Sequence, residues 1–129
     1  MTALTLRVSL PCPLNRLYRS VLMPGWKWPR TILSARARVC SNILMGEILK
    51  QTERMAKPIF AGPVSIADYT IVPRDRRPVD FDAYDKQLFD CLAKAGVLAN
   101  DKQIKHGGSK EILPPKRPGY ISITITDLP

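Results

Sequence analysis

Between Arg74 and Asp101 the chain opens with Arg74-Asp75-Arg76-Arg77-Pro78-Val79-Asp80-Phe81-Asp82-Ala83-Tyr84-Asp85-Lys86 and runs on through Gly96 to Asn100-Asp101. Its second half has helical spacing: Tyr84, Leu88, Cys91, Leu92 and Ala95 recur every three or four residues. A helix is therefore expected from about Asp82 to Ala95, with Gly96 as its C-terminal stop. The first half concentrates charge. Seven of the eleven Asp and Glu lie between Asp68 and Asp101, in a chain of net charge +9. Arginines just ahead of carboxylates suggest one chemistry: positive charge holds a polyanion, and carboxylates hold a divalent cation against its phosphates.

Outward from this stretch, the period changes from helical to strand-like. Val64–Val72 reads as a strand with Val64, Ile66, Tyr69 and Ile71 as candidate core residues. Leu4–Leu10 alternates, with Leu4, Leu6, Val8 and Leu10 on one face, and Tyr120–Thr126 does so with Ile121, Ile123 and Ile125. A second helix is expected from Ser34, a suitable N-cap, to about Met55, where Lys57-Pro58 stops it. Cys40, Leu44 and Ile48 form its apolar row, with Ile43 and Met55 beside them. Gln103–His106 begins another strand, broken near Gly107-Gly108. Residues 20–32 read as irregular, with a turn at Pro24-Gly25. The order β-α-β-α-β-β predicts a small mixed β-sheet with two main helices: one α+β domain spanning residues 1–129.

Charge is distributed unevenly. Six basic residues and no acid lie between Arg16 and Arg38. Such a field attracts nucleic acid or an anionic membrane surface, although a basic surface can also serve solubility alone. The three cysteines are far apart and have no zinc-ligand spacing, which favours reduced thiols and a cytoplasmic setting. No apolar run approaches a membrane span, so no membrane association is expected.

The carboxylates invite a metal reading. In an extended segment Asp80 and Asp82 point the same way, and Lys86 stands one helical turn beyond Asp82. Phosphodiester hydrolysis needs charge neutralisation, an activated water and a stabilised leaving oxyanion. Magnesium takes hard oxygen ligands and retains waters, so two or three carboxylates suffice. Lys86 suits charge neutralisation better than proton abstraction, because an ordinary lysine is protonated near neutral pH. Each residue also has a plainer reading: Asp82 as a helix cap, Asp85 at the helix dipole, and Lys86 in a surface ion pair with Asp82 or Asp90. Trp26 and Trp28 flank Lys27, which suits either base stacking or ordinary packing. His106 reads as an ordinary strand or loop residue.

Several motifs in order resemble the RusA family of Holliday junction resolvases. They are Pro11-x-Pro13-x-Asn15-Arg16-x-Tyr18-Arg19, Asp80-Phe81-Asp82-x-x-x-Lys86, Lys94-Ala95-Gly96 and Asn100-Asp101-x-Gln103-Ile104. The resemblance implies a magnesium-dependent homodimer, with manganese as a substitute cation, that cuts four-way DNA junctions by paired symmetric incisions in recombination and repair. It implies a bacterial or phage-infected host cytoplasm. By the same resemblance Asp80, Asp82 and Asp101 are the metal carboxylates and Lys86 the essential lysine. Arg16, Arg19, Arg74, Arg76, Arg77, Lys102 and Lys105 are candidate phosphate contacts. Two positions depart from the family: Ala83 replaces an asparagine, and Asn100 replaces the first acid of a pair. The Trp-bearing loop at residues 20–32 is also longer than usual. Ala83 and Asn100 keep one rival open, a junction-binding protein of the same fold with weakened catalysis; a second rival is a basic RNA-binding or adaptor protein whose acidic stretch only caps a helix.

Overall fold

The computed structural model describes residues 3–80, 82–107 and 110–128. Alternating apolar residues build a five-stranded mixed sheet from β1 (Ala3–Val8), β4 (Val64–Val72), β5 (Ile104–His106), β6 (Lys110–Ile112) and β7 (Tyr120–Asp127). β7 is the hub, antiparallel to β1 on one side and to β4 on the other. β5 and β6 both pair with β4 in parallel, at successive parts of its length. The two main helices, α1 (Ala35–Gln51) and α2 (Asp85–Lys94), contribute Leu44, Ile48, Leu88, Cys91 and Leu92 to the core. They meet Leu6, Val8, Ile66, Ile71, Ile121 and Ile123 from the sheet. Each such fully buried Leu or Ile contributes roughly 1.5–3 kcal/mol. The result is the expected α+β architecture, in two layers.

One irregularity in β4 explains its sequence pattern. Val64 and Ile66 are buried, and so are Tyr69 and Ile71, although the two pairs are out of phase for a regular strand. The pairing with β7 shifts between Ile66 and Asp68, so a bulge at Ala67 returns both pairs to the core face. At the sheet's edge, β1 is closed off by side chains of α1. Gln51 exchanges hydrogen bonds with the Arg7 backbone, and Glu47 accepts from the Ser9 amide and hydroxyl. These bonds occupy backbone groups that an open edge would offer to another strand.

Three expectations need correction. Residues 20–32 are not wholly irregular: β2 (Tyr18–Val21) and β3 (Arg30–Leu33) form a separate antiparallel hairpin. α1 ends at Gln51, with the buried Thr52 as its C-cap, the Thr52 hydroxyl donating to the Ile48 carbonyl at 2.8 Å. Ile43 and Met55, beside the apolar row, are exposed. α2 begins at Asp85, and Asp82 lies in the turn ahead of it. The shared helix face inferred for Asp82 and Lys86 is therefore lost. The expected break after His106 falls between β5 and β6, with Gly108 outside the described residues.

Candidate nucleic-acid and metal site

The N-terminal loop reaches the acidic turn through the backbone. The Leu14 amide donates to the Ala83 carbonyl at 2.8 Å, and the Ala83 amide donates to the Asp80 carbonyl at 3.2 Å. The segment from Asp80 thus turns instead of running extended, which removes the geometric argument that Asp80 and Asp82 point the same way. Phe81, between them, lies outside the described residues. A buried amide makes the second link. Gln87 accepts from the Cys12 amide at 2.6 Å and donates to the Ala37 carbonyl at 2.8 Å. It joins the N-terminal loop, α1 and α2, one residue after Lys86.

These links shape a cleft of about 1030 Å³ between the N-terminal loop, α1, the acidic turn and the loop before β7. Asp80 and Asp82 line it, as do Asn15 and the arginines Arg16, Arg36, Arg74, Arg77 and Arg117. Arg117 arrives because the preceding loop packs closely on the end of β4. The Lys116 amide donates to the Pro73 carbonyl, and Gly119, with φ +83°, lies against the Arg74 backbone, where a Cβ would come within 2.9 Å of the Arg74 nitrogen. Arg77 pairs at 3.9 Å with Asp75, whose carboxylate also accepts from the Arg77 amide. Neither Asp80 nor Asp82 has a side-chain hydrogen bond or ion pair among the described residues. Two exposed carboxylates therefore stand among five guanidiniums without neutralising them.

Lys86 and Asp101 lie outside the lining of this cleft. Lys86 Nζ pairs with Asp90 at 3.3 Å, one turn along α2, which is the plainer ion-pair reading of this lysine. Its pKa is raised, first by the hydrogen bond to Asp90 and then by that carboxylate's charge, with smaller contributions from Tyr18 and Asp101. Lys86 is therefore a cation at neutral pH, suited to charge neutralisation and not to proton abstraction. Asp101 opens a short 3-10 turn (Asp101–Gln103) that Asn100 caps. The Asn100 side chain accepts from the Lys102 amide, and the Gln103 side chain accepts from the Asn100 amide, both at 2.8 Å. Asparagine caps as well as aspartate does, so the departure at Asn100 preserves this turn. Gln103 also anchors the turn to the Phe60 and Gly62 carbonyls.

The hard, unpaired oxygen donors of Asp80 and Asp82 suit magnesium, which commonly takes one or two carboxylates plus substrate phosphates. Among the described residues, no group of three or more His, Cys, Asp or Glu is gathered closely enough to hold a metal ion. Asp101 is thus not assembled with Asp80 and Asp82 into a three-carboxylate group. Of the candidate phosphate contacts, Arg16, Arg74 and Arg77 line the cleft; Arg19, Arg76, Lys102 and Lys105 are exposed and outside its lining. His106 is exposed on β5.

Sequence reading missed Arg36, Arg117 and Gln87. Both arginines reach the cleft only through tertiary packing. Gln87 carried a usable signal: it lies three residues after Tyr84 and four before Cys91, a polar side chain on the buried stripe of α2. Asp85 is tied in as well. It accepts from the Tyr69 hydroxyl at 2.9 Å and pairs with Lys110, fastening the first turn of α2 to β4 and β6. No family model matches the chain, and no curated protein matches it. Among the described residues, no helix is long and apolar enough to cross a membrane.

Proposed function

We propose that the protein is a magnesium-dependent endonuclease for branched DNA, working as RusA-family resolvases do. The observation that carries this reading is the pair of unpartnered carboxylates, Asp80 and Asp82, in a cleft that five arginines also line. Guanidiniums grip phosphates through paired N–H donors, and the free carboxylates are left for a cation. Magnesium held there would polarise the scissile phosphate and a bound water. Arg16, Arg36, Arg74, Arg77 and Arg117 would orient the backbone, Lys86 would offset developing negative charge, and Asp101 is the third carboxylate that the family resemblance implies. A homodimer fits a two-fold junction that must be cut twice.

The test is cleavage of an end-labelled synthetic four-way junction in magnesium or manganese, with linear duplex and EDTA controls. Symmetric paired nicks are expected on the junction alone. Asp82→Asn should reduce their rate by at least about 100-fold while leaving the circular dichroism spectrum unchanged. One observation favours a second reading: Lys86 is paired with Asp90 at 3.3 Å and not with the carboxylates of the acidic turn. Tight junction binding without cutting in either metal would move the assignment to a non-catalytic junction-binding protein. Equal binding of RNA and branched DNA without cutting would favour the RNA-binding alternative.

A further inference from the structure

The hairpin of β2 and β3 stands apart from the main sheet, and its residues are mostly exposed. Its root is fixed. Leu17 is buried with Cys12 and Ala37, Leu33 packs on them, and the Ser34 amide donates to the Leu17 carbonyl at 2.9 Å. Arg16 and Arg36, just outside the two ends of the hairpin, line the cleft. The hairpin therefore springs from the rim of the arginine-lined site. Its tip is also shaped. The Trp26 amide donates to the Met23 carbonyl at 3.0 Å across Pro24-Gly25, and Gly25 has φ +88°, the geometry of a turn with glycine at its third position.

The two tryptophans of the tip differ. Trp26 is half-buried, with the Arg30 guanidinium 4.5 Å from its ring centre. Trp28 is 71% exposed, the most exposed of the large apolar side chains among the described residues, and Lys27 Nζ lies 5.7 Å from its ring centre. Leu22 and Met23 are exposed beside it in the same loop. Arg19, Lys27 and Arg30 are exposed too, and the chain has no acidic residue before Glu47. A large ring held in water by an all-cationic element is poor design for ordinary packing and suits a planar, anionic ligand. A second copy is the weaker candidate, because a two-fold contact through this tip would bring Arg19, Lys27 and Arg30 against their own equivalents.

We propose that the tip is a base-stacking site. An unpaired nucleobase, or one opened at a branch point, lies on the free surface of Trp28, while Arg19, Lys27 and Arg30 hold the adjoining phosphates. Arg30 on Trp26 stiffens the loop that presents the platform. Bases within a continuous duplex are already stacked on both faces, so this site favours a branch point over linear duplex. The inference rests on the DNA reading above but requires no cutting.

The experiment is equilibrium binding by the full-length chain in EDTA, using junctions with a fluorescent adenine analogue at the branch point, and linear duplex for comparison. Wild type should quench the analogue on the junction. Trp28→Ala should abolish quenching and weaken junction binding by about 10- to 100-fold, with linear-duplex affinity unchanged and its circular dichroism spectrum intact. Trp28→Phe should retain most of both signals. Junction binding and quenching by Trp28→Ala equal to wild type would overturn the stacking site even if magnesium-dependent cleavage is found. A Trp28→Ala effect on self-association in sedimentation, without one on DNA binding, would also overturn it in favour of a second copy. Absence of DNA binding by wild type in EDTA would end this inference, and the nuclease reading would fall with it only if the junction is also left uncut in magnesium. A Trp28-dependent quench with no cleavage would retire only the nuclease reading.

Discussion

The acidic turn and the hairpin both carry residues suited to DNA, but they are built in opposite ways. Around the acidic turn, polar side chains are used as internal fastenings. Gln87 is only 4% exposed and ties the N-terminal loop and α1 to α2. Asp85 fastens the start of the same helix to Tyr69 and Lys110. The hairpin is fixed only at its root, and beyond that its cations and Trp28 project into water. The difference matches the two tasks proposed above. Hydrolysis needs its groups held to a fraction of an ångström, so its surroundings are cross-linked. Gripping a flexible branch needs reach and charge, which an exposed hairpin supplies without burial.

Breaking the fastenings should therefore damage the acidic side far more than any hairpin substitution damages the fold. Asp85→Ala has the largest expected effect on stability. It leaves the fully buried Tyr69 hydroxyl without the Asp85 carboxylate as acceptor and removes the carboxylate paired with Lys110, whose side chain is only 15% exposed. A loss of roughly 2–4 kcal/mol is expected, below the full range for a buried pair because Asp85 retains some solvent contact. Urea unfolding measures it, and an unchanged midpoint would show that α2 is held by apolar packing alone. Gln87→Leu comes next. It strands the buried Cys12 amide and should cost about 1–3 kcal/mol. It should also lower junction cleavage more than junction binding, since the loop bearing Arg16 loses its register with Lys86. Equal losses in both would mean that Gln87 supports the fold and not the position of the site.

The same contrast governs what could be read from sequence. β4, β7 and the stripe of α2 announced themselves because each buries one face, and burial imposes a period on apolar residues. The strands of the hairpin bury almost nothing, so Tyr18–Val21 and Arg30–Leu33 carried no such period. The start of α2 was misplaced because Asp82 is a chemically suitable cap, yet a turn through Ala83 and Tyr84 intervenes. Asp80, Asp82, Arg16, Arg74 and Arg77 were identifiable by residue type and charge. Their gathering around one cleft, and the recruitment of Arg36 from α1 and Arg117 from the last loop, depend on contacts between distant segments. Local spacing does not encode those contacts.

Alkaline pH should produce a smaller, graded form of the same weakening. The resolved pKa shifts all run upward: Cys12, Cys91, Tyr69 and Tyr84 mainly by burial, and Lys86 mainly through its hydrogen bond to Asp90. Each folded group holds its proton more tightly than its unfolded counterpart. The stability this provides is complete below the unfolded values, 9.0 for the thiols, 10.0 for the tyrosines and 10.5 for the lysine, and is lost as pH rises through the folded ones. The urea midpoint should therefore decline above about pH 9. Tyr69→Phe should flatten the part of that decline above pH 10.0, because Tyr69 has the most buried phenol. The exposed hairpin contributes none of these shifted groups, so Trp28→Ala should leave the pH profile unaltered. A matching change in its profile would mean that the hairpin and the acidic side unfold as one fastened unit, and the contrast between them would fail.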